Sequence, residues 1–98
     1  MHLYSTYILH CSDDSYYVGV TNDLQTRIIQ HQLGVSATSY TYGRRPVELV
    51  FYEEYQWIQD AIAREKQLKG WSRKKKEALI SGNNDLLPVL AKKVWRRE

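Results

Sequence analysis

The chain has 98 residues, 43% of them hydrophobic, and a formal net charge of +3. That is enough apolar material for one core, which argues against disorder and points to a single domain over residues 1–98. The lone cysteine, Cys11, excludes an intramolecular disulfide and an all-cysteine metal cluster, and no stretch is long and apolar enough to span a membrane. Residues 1–15 lack a basic start followed by an apolar run, so the expected compartment is the cytoplasm.

The charge is unevenly placed. Residues 1–63 carry three basic and seven acidic side chains, whereas residues 64–98 carry eleven basic and four acidic ones. A polyanion would be drawn to the second half, and nucleic acid is the commonest such partner, although a solvated Lys/Arg helix face would look the same.

In chain order, Leu3 to Cys11 reads as a strand, with Leu3, Ser5, Tyr7, Leu9 and Cys11 on one face. Ser12-Asp13-Asp14-Ser15 is a turn by composition, and Tyr16 to Thr21 is a second strand, giving a hairpin. Asn22 or Asp23 can cap a helix to about Gln32, with Gly34 beyond its end. A loop rich in Ser, Thr, Tyr and Arg follows over residues 34–46, and strand character resumes from Val47 to Glu54. Helices are predicted from about Gln56 to Lys69, from an N-cap at Ser72 to about Ser81, and from Asp85 to about Val94. The order is α+β, ββαβαα with an extra short C-terminal helix, on a three-stranded, mostly antiparallel sheet with helices covering one face.

Tyr7 and Tyr17 fall on the two hairpin strands and can reach one face of the sheet. Strand tyrosines commonly just pack, but Gly19 lies on the same face as Tyr17, and a strand glycine permits close approach of a ligand or another backbone. Arg27 and His31 stand at i, i+4 on one side of the first helix, with Leu24 and Ile28 on another stripe facing the core. A guanidinium can hold phosphate and an imidazole can relay a proton; a surface pair is the plainer alternative. Glu65 shares a helical stripe with Ala61, Ile62 and Leu68, where a carboxylate needs either an ion pair, with Arg64 or Lys69, or a cation. Mg²⁺ takes as few as one protein carboxylate, so a single Glu suffices for a substrate-assisted site. The run Lys69 to Lys76 mixes cations with Trp71; its lysines suit phosphate contacts and Trp71 suits a core anchor. There is no phosphate-binding glycine loop, no His-Glu-x-x-His and no nucleophile elbow, and His10 and Cys11 point to opposite faces of their strand.

As an ordered set, these residues resemble the GIY-YIG nuclease superfamily, in particular its compact branch of small bacterial proteins. Tyr7 within Ser5-Thr6-Tyr7-Ile8-Leu9 matches the first motif, with Ser5 in place of its first glycine, and Tyr17-Val18-Gly19 matches the second. Thr21 to Arg27, His31, Arg44-Arg45-Pro46-Val47 and Arg64-Glu65-Lys66-Gln67-Leu68-Lys69-Gly70-Trp71 supply the remaining signatures.

The resemblance implies a metal-dependent endonuclease hydrolysing phosphodiester bonds in DNA, with RNA left open, in a repair or recombination setting. In that reading Tyr7 is the general base, alone or with His31, and Tyr17 orients the nucleophile or a phosphate oxygen. Arg27 stabilises the transition state, Glu65 holds one Mg²⁺ or Mn²⁺, and Asn83 (or Asn84) completes the site. Arg27, the metal and a protonated His31 would lower the phenol pKa. Arg44, Arg45, Lys69, Arg73, Lys74 and Lys75 would contact the nucleic acid, and a partner protein could supply specificity. The rival reading is a nucleic-acid-binding module of the same fold with little or no catalysis.

Overall fold

The structure, a computed structural model, describes residues 2–82. Asn83, Asn84 and the helix expected from Asp85 lie outside the described residues. Strands β1 (Tyr4–Cys11) and β2 (Tyr16–Thr21) form the hairpin, followed by helix α1 (Leu24–Leu33), a 3₁₀ turn (Tyr42–Arg44), strand β3 (Val47–Tyr55) and helices α2 (Ile58–Lys69) and α3 (Arg73–Ser81). The three strands form one antiparallel sheet in the order β2-β1-β3.

Local chemistry fixes the element ends much as expected. The Asp23 carboxylate accepts the Thr26 amide to cap α1, and Gly34 closes it in the left-handed conformation. Ser72 caps α3 by accepting the Lys75 amide, and Gly82 ends it, again left-handed. Helix α2 begins at Ile58 rather than Gln56, because Trp57 is extended at φ −113°, ψ 135°.

The covering of the sheet differs from the one-sided expectation. β1 is central and has no charged residue between Tyr4 and Leu9, so residues of both parities are buried. On one face Ile8, Val18 and Phe51 pack with Leu68 of α2 and with Ala78 and Leu79 of α3. On the other, Tyr7, Leu9, Cys11 and Val47 pack with Leu24 and Ile28 of α1. In the β1–β3 pairing Ile8 faces Phe51 but Leu9 faces Leu49, so Val50 is an extra residue that bends β3.

The α2 face is fastened by polar bonds as well as apolar ones. The Thr6 hydroxyl donates to the Ala61 carbonyl at 2.7 Å. Arg64 grips Glu53 of β3 in a two-pronged pair, at 2.8 Å and 3.2 Å, with side chains only 14% and 2% exposed. Tyr55 donates to the same carboxylate, and Arg64 also reaches Gln67 and lies 5.2 Å from the Trp71 ring. Glu53→Ala would leave a guanidinium buried without its counter-charge. The expected loss is about 3 kcal/mol, read in urea as a lower midpoint at unchanged slope.

Candidate active site

The residues singled out at the head of the chain meet on the α1 face. In the hairpin register Tyr7 lies opposite Gly19, and Leu9 opposite Tyr17. A side chain at position 19 would place its Cβ 2.5 Å from the Tyr7 hydroxyl and 3.0 Å from the Tyr17 ring, so the glycine admits the two phenols themselves. Leu24 and Ile28 seat α1 on the sheet, which carries Arg27 and His31 over the same spot. The Tyr7 hydroxyl lies 2.9 Å from Nε2 of His31, and Nδ1 of His31 lies 2.7 Å from the Thr41 hydroxyl. The rings of Tyr7 and Tyr17 are 6.2 Å apart, and His31 is 5.3 Å from Tyr17.

Burial sets the charge states here. Tyr7 has no exposed surface and His31 only 8%. Desolvation and the neighbouring Tyr17 phenol push the Tyr7 hydroxyl far above the usual phenol range, and the adjacent Arg27 guanidinium offsets only part of this. Desolvation and the same guanidinium push the His31 imidazole below its ordinary value. A neutral phenol therefore faces a neutral imidazole at pH 7, contrary to the expectation of a protonated His31 lowering the phenol pKa.

Beside this cluster, between α1 and the segment after it, is an open cleft of about 340 Å³ lined by Tyr17, Arg27, His31, Ser39, Tyr40 and Tyr42, among others. Tyr40 stacks on Tyr17 at 5.8 Å and 25°, and Arg44 lies over the other side of Tyr40, 3.9 Å from its centre. Arg44 is further tied to Asp13 at 3.0 Å and to the Tyr40 carbonyl at 2.7 Å. Arg45 covers Tyr42 at 4.7 Å, donates to its carbonyl, and fills the space a side chain at Gly34 would need. Both arginines expected on nucleic acid thus have partners that hold the 34–46 segment against the site. Tyr40 and Thr41 were not singled out from sequence. Their signal was the density of hydroxyl and aromatic residues in that loop.

Glu65 stands on α2, the helix over β1 and β2 on the opposite face from α1. Of the two ion-pair partners open to it, the structure selects Lys69, at 3.0 Å, while Arg64 is taken by Glu53. The Glu65 side chain is 20% exposed and that of Lys69 56%, so the carboxylate can exchange a solvated lysine for another cation. Among the described residues there is no group of three His, Cys, Asp or Glu side chains. The donor set fits a hard divalent ion held by one carboxylate plus water and substrate oxygens, and does not fit an all-protein cage. Arg73 bonds Asp14 and Glu77 and covers Tyr16, which ties α3 to the hairpin turn. Lys75 lies 4.6 Å from the Trp71 ring, and Lys74 is exposed. Cys11 is buried, its thiol pushed up by desolvation, and His10 bonds Asp14, in keeping with no nucleophile–base pair there.

The lowered His31 pKa has a consequence for stability. The unfolded chain, with imidazole near 6.5, binds the proton first as pH falls, so this contribution is whole above pH 6.5 and shrinks below it. Denaturant titrations from pH 7.5 to 5 are expected to show a falling midpoint, and His31→Gln to flatten that fall.

The sequence profile of the GIY-YIG catalytic domain matches residues 3–78. The chain is 44% identical over 79 residues to a UPF0213 protein of Bacillus pumilus (strain SAFR-032), covering 81% of this chain and 80% of that protein. It is 40% identical to the UPF0213 protein HQ_3675A of Haloquadratum walsbyi, covering 82% and 89%. The solution structure of the UPF0213 protein BH0048 of Bacillus halodurans superposes with a TM-score of 0.54 at 37% identity, over 86% of this chain and 88% of that one. That of the protein EF2693 of E. faecalis does so with a TM-score of 0.57 at 29% identity, over 83% and 88%. With the two tyrosine motifs paired on one hairpin and the arginine and histidine of α1 above them, the chain belongs to the GIY-YIG catalytic-domain family of nucleases, alongside the small UPF0213 proteins.

Proposed function

We propose that the protein is a divalent-metal-dependent endonuclease that hydrolyses phosphodiester bonds in DNA. The observation that carries this reading is the convergence of two phenols, a neutral imidazole and a guanidinium beside one open cleft.

Exposure supports a division of roles. Tyr17 lines the cleft and Tyr7 lies behind it, so the attacking water would meet Tyr17 first, rather than Tyr7 as the resemblance implied. The water proton passes to the Tyr17 hydroxyl, the Tyr17 proton to Tyr7, and the Tyr7 proton to His31, whose neutral ring keeps one nitrogen free and turns Nε2 toward Tyr7. The hydroxide oxygen bonds phosphorus as the bond to the leaving oxygen breaks, and that oxygen takes a proton from solvent. Relaying the proton avoids the free phenolate that burial makes so unfavourable. Arg27 lines the same cleft and neutralises charge growing on the phosphoryl oxygens. Glu65 is the residue that would hold Mg²⁺ or Mn²⁺, and a bound ion would supply further charge stabilisation at the phosphoryl group. Because α1 and α2 cover opposite faces, a substrate engaging both would pass the free edge of β2.

The second reading is the binding module without catalysis, and the zero exposure of Tyr7 favours it. Incubation of supercoiled, branched and single-stranded DNA with Mg²⁺ or Mn²⁺ separates the two. Metal-dependent cutting is expected, falling by about 10² to 10³-fold in Arg27→Ala, with Glu65→Ala and Tyr17→Phe also impaired and thermal stability retained. Binding by the wild type without cutting in either metal would instead support the module.

Affinity is assigned to the lysines at the start of α3, of which Lys74 and Lys75 are exposed and Lys76 half-buried, since Arg73 beside them is neutralised by Asp14 and Glu77. Replacing Lys74, Lys75 and Lys76 with Gln is expected to weaken DNA binding alike for unrelated sequences. The slope of log K against log salt should drop by up to about three.

A further inference from the structure

Thr41 is 1% exposed and occupies a position that the chemistry above does not use. Its hydroxyl meets Nδ1 of His31 at 2.7 Å and the Ser39 hydroxyl at 2.9 Å, and its own amide donates to the Ser39 hydroxyl at 3.3 Å. Its carbonyl accepts the Arg44 amide at 3.0 Å, and Tyr42 bonds back to the Ser39 carbonyl at 3.1 Å, so the residue is pinned in a tight turn. The far nitrogen of the same ring meets Tyr7 at 2.9 Å.

An imidazole in this setting has one proton and two possible places for it, and the hydrogen bond made by one nitrogen decides the state of the other. The charge beside Tyr7 favours one direction. The Arg27 guanidinium acts on Tyr7 and has only N–H groups, which favours the Tyr7 oxygen turning its lone pairs toward Arg27 and giving its proton to Nε2 of His31, 2.9 Å away. Nδ1 then carries the ring proton and donates it to Thr41, whose hydroxyl donates onward to Ser39. Each proton from Tyr7 through Thr41 then has an acceptor in the line. The titratable or charged groups facing the ring are Tyr7 from β1, Tyr17 from β2 and Arg27 from its own helix.

We infer that Thr41 is the positioning residue that holds His31 in the Nδ1–H tautomer, presenting Nε2 as the proton acceptor for Tyr7. Its catalytic meaning rests on the nuclease reading, whereas the tautomer is a property of the protein alone. An acceptor at position 41 is the requirement, so serine satisfies it and valine, of similar shape, does not.

Long-range ¹H–¹⁵N correlation spectra of the labelled full chain at pH 7.5 read the tautomer directly. The wild type and Thr41→Ser are expected to show a protonated Nδ1 and an unprotonated Nε2, and Thr41→Val to lose that pattern. A wild-type spectrum with the proton on Nε2 overturns the inference, even if Thr41→Val fails to fold. An unchanged pattern in a folded Thr41→Val overturns it too. In the cleavage assay Thr41→Val is expected to lower kcat on the order of 10²-fold with KM little changed, and Thr41→Ser to restore it. Wild type that cuts no DNA yet shows the Nδ1–H tautomer would end the nuclease reading and leave this assignment standing.

Discussion

The central position of β1 is the constraint on which the rest depends. A strand hydrogen-bonded on both sides and covered on both faces must give each parity of its residues a separate job. Here the even residues Thr6 and Ile8 bind α2 and the apolar core, and the odd residues Tyr7 and Leu9 face α1. The phenol–imidazole cluster and the α2–α3 core are thereby separated by the thickness of the sheet. The same division explains why Gly19 is opposite Tyr7. The strand beside the buried Tyr7 phenol has to surrender its side chain so that the ring can lie across it.

The arginines show how partners separate function from architecture where residue type cannot. Arg64 is buried against Glu53 and stacked by Trp71; such a pair is costly to break and fixes β3 to α2. Arg73 joins α3 to the hairpin turn through Asp14, and Arg44 joins the 34–46 segment to that same turn through Asp13. The hairpin tip is thus clamped from two directions by carboxylates that composition alone would read as solvated turn residues. Arg27 is different, since it lines the cleft and its charge acts on both Tyr7 and His31.

This sorts what was legible in the chain from what was not. The caps at Asp23, Gly34 and Ser72 and the glycine stop after α3 follow from local hydrogen bonding and sterics, so those element ends could be read directly. Tyr7, Tyr17, Arg27 and His31 could be grouped because strand and helix periodicity put each on a known side of its own element. Two-sided burial was harder, because it depends on which strand ends up central, and β3 joins β1 from far along the chain. The choice between Arg64 and Lys69 for Glu65 was equally non-local, since it turned on Glu53 arriving from β3. Thr41 and Tyr40 belong to a loop, where no period assigns a direction, and only tertiary packing sets them beside His31 and Tyr17.

A buried, neutral tyrosine would be a poor base acting alone, and burial weakens histidine as a base too, yet the two are placed 2.9 Å apart, where a proton can pass between them. Burial raises the cost of charging either group, so neither holds a charge at rest that would repel or trap a ligand. In the proposed nuclease reaction, a proton entering at Tyr17 would displace the one on Tyr7 toward His31, so the only charge created on the protein would be an imidazolium at the cleft. That cation lies under Arg27, and both would face a phosphate that has just gained negative charge. The repulsion between Arg27 and a protonated His31, unfavourable in the resting protein, is the interaction that a phosphorane-like transition state would relieve. On the proposed reading, the pairing of groups that look mismatched in the free protein would make the site complementary to the charge distribution of phosphoryl transfer rather than to that of the resting substrate.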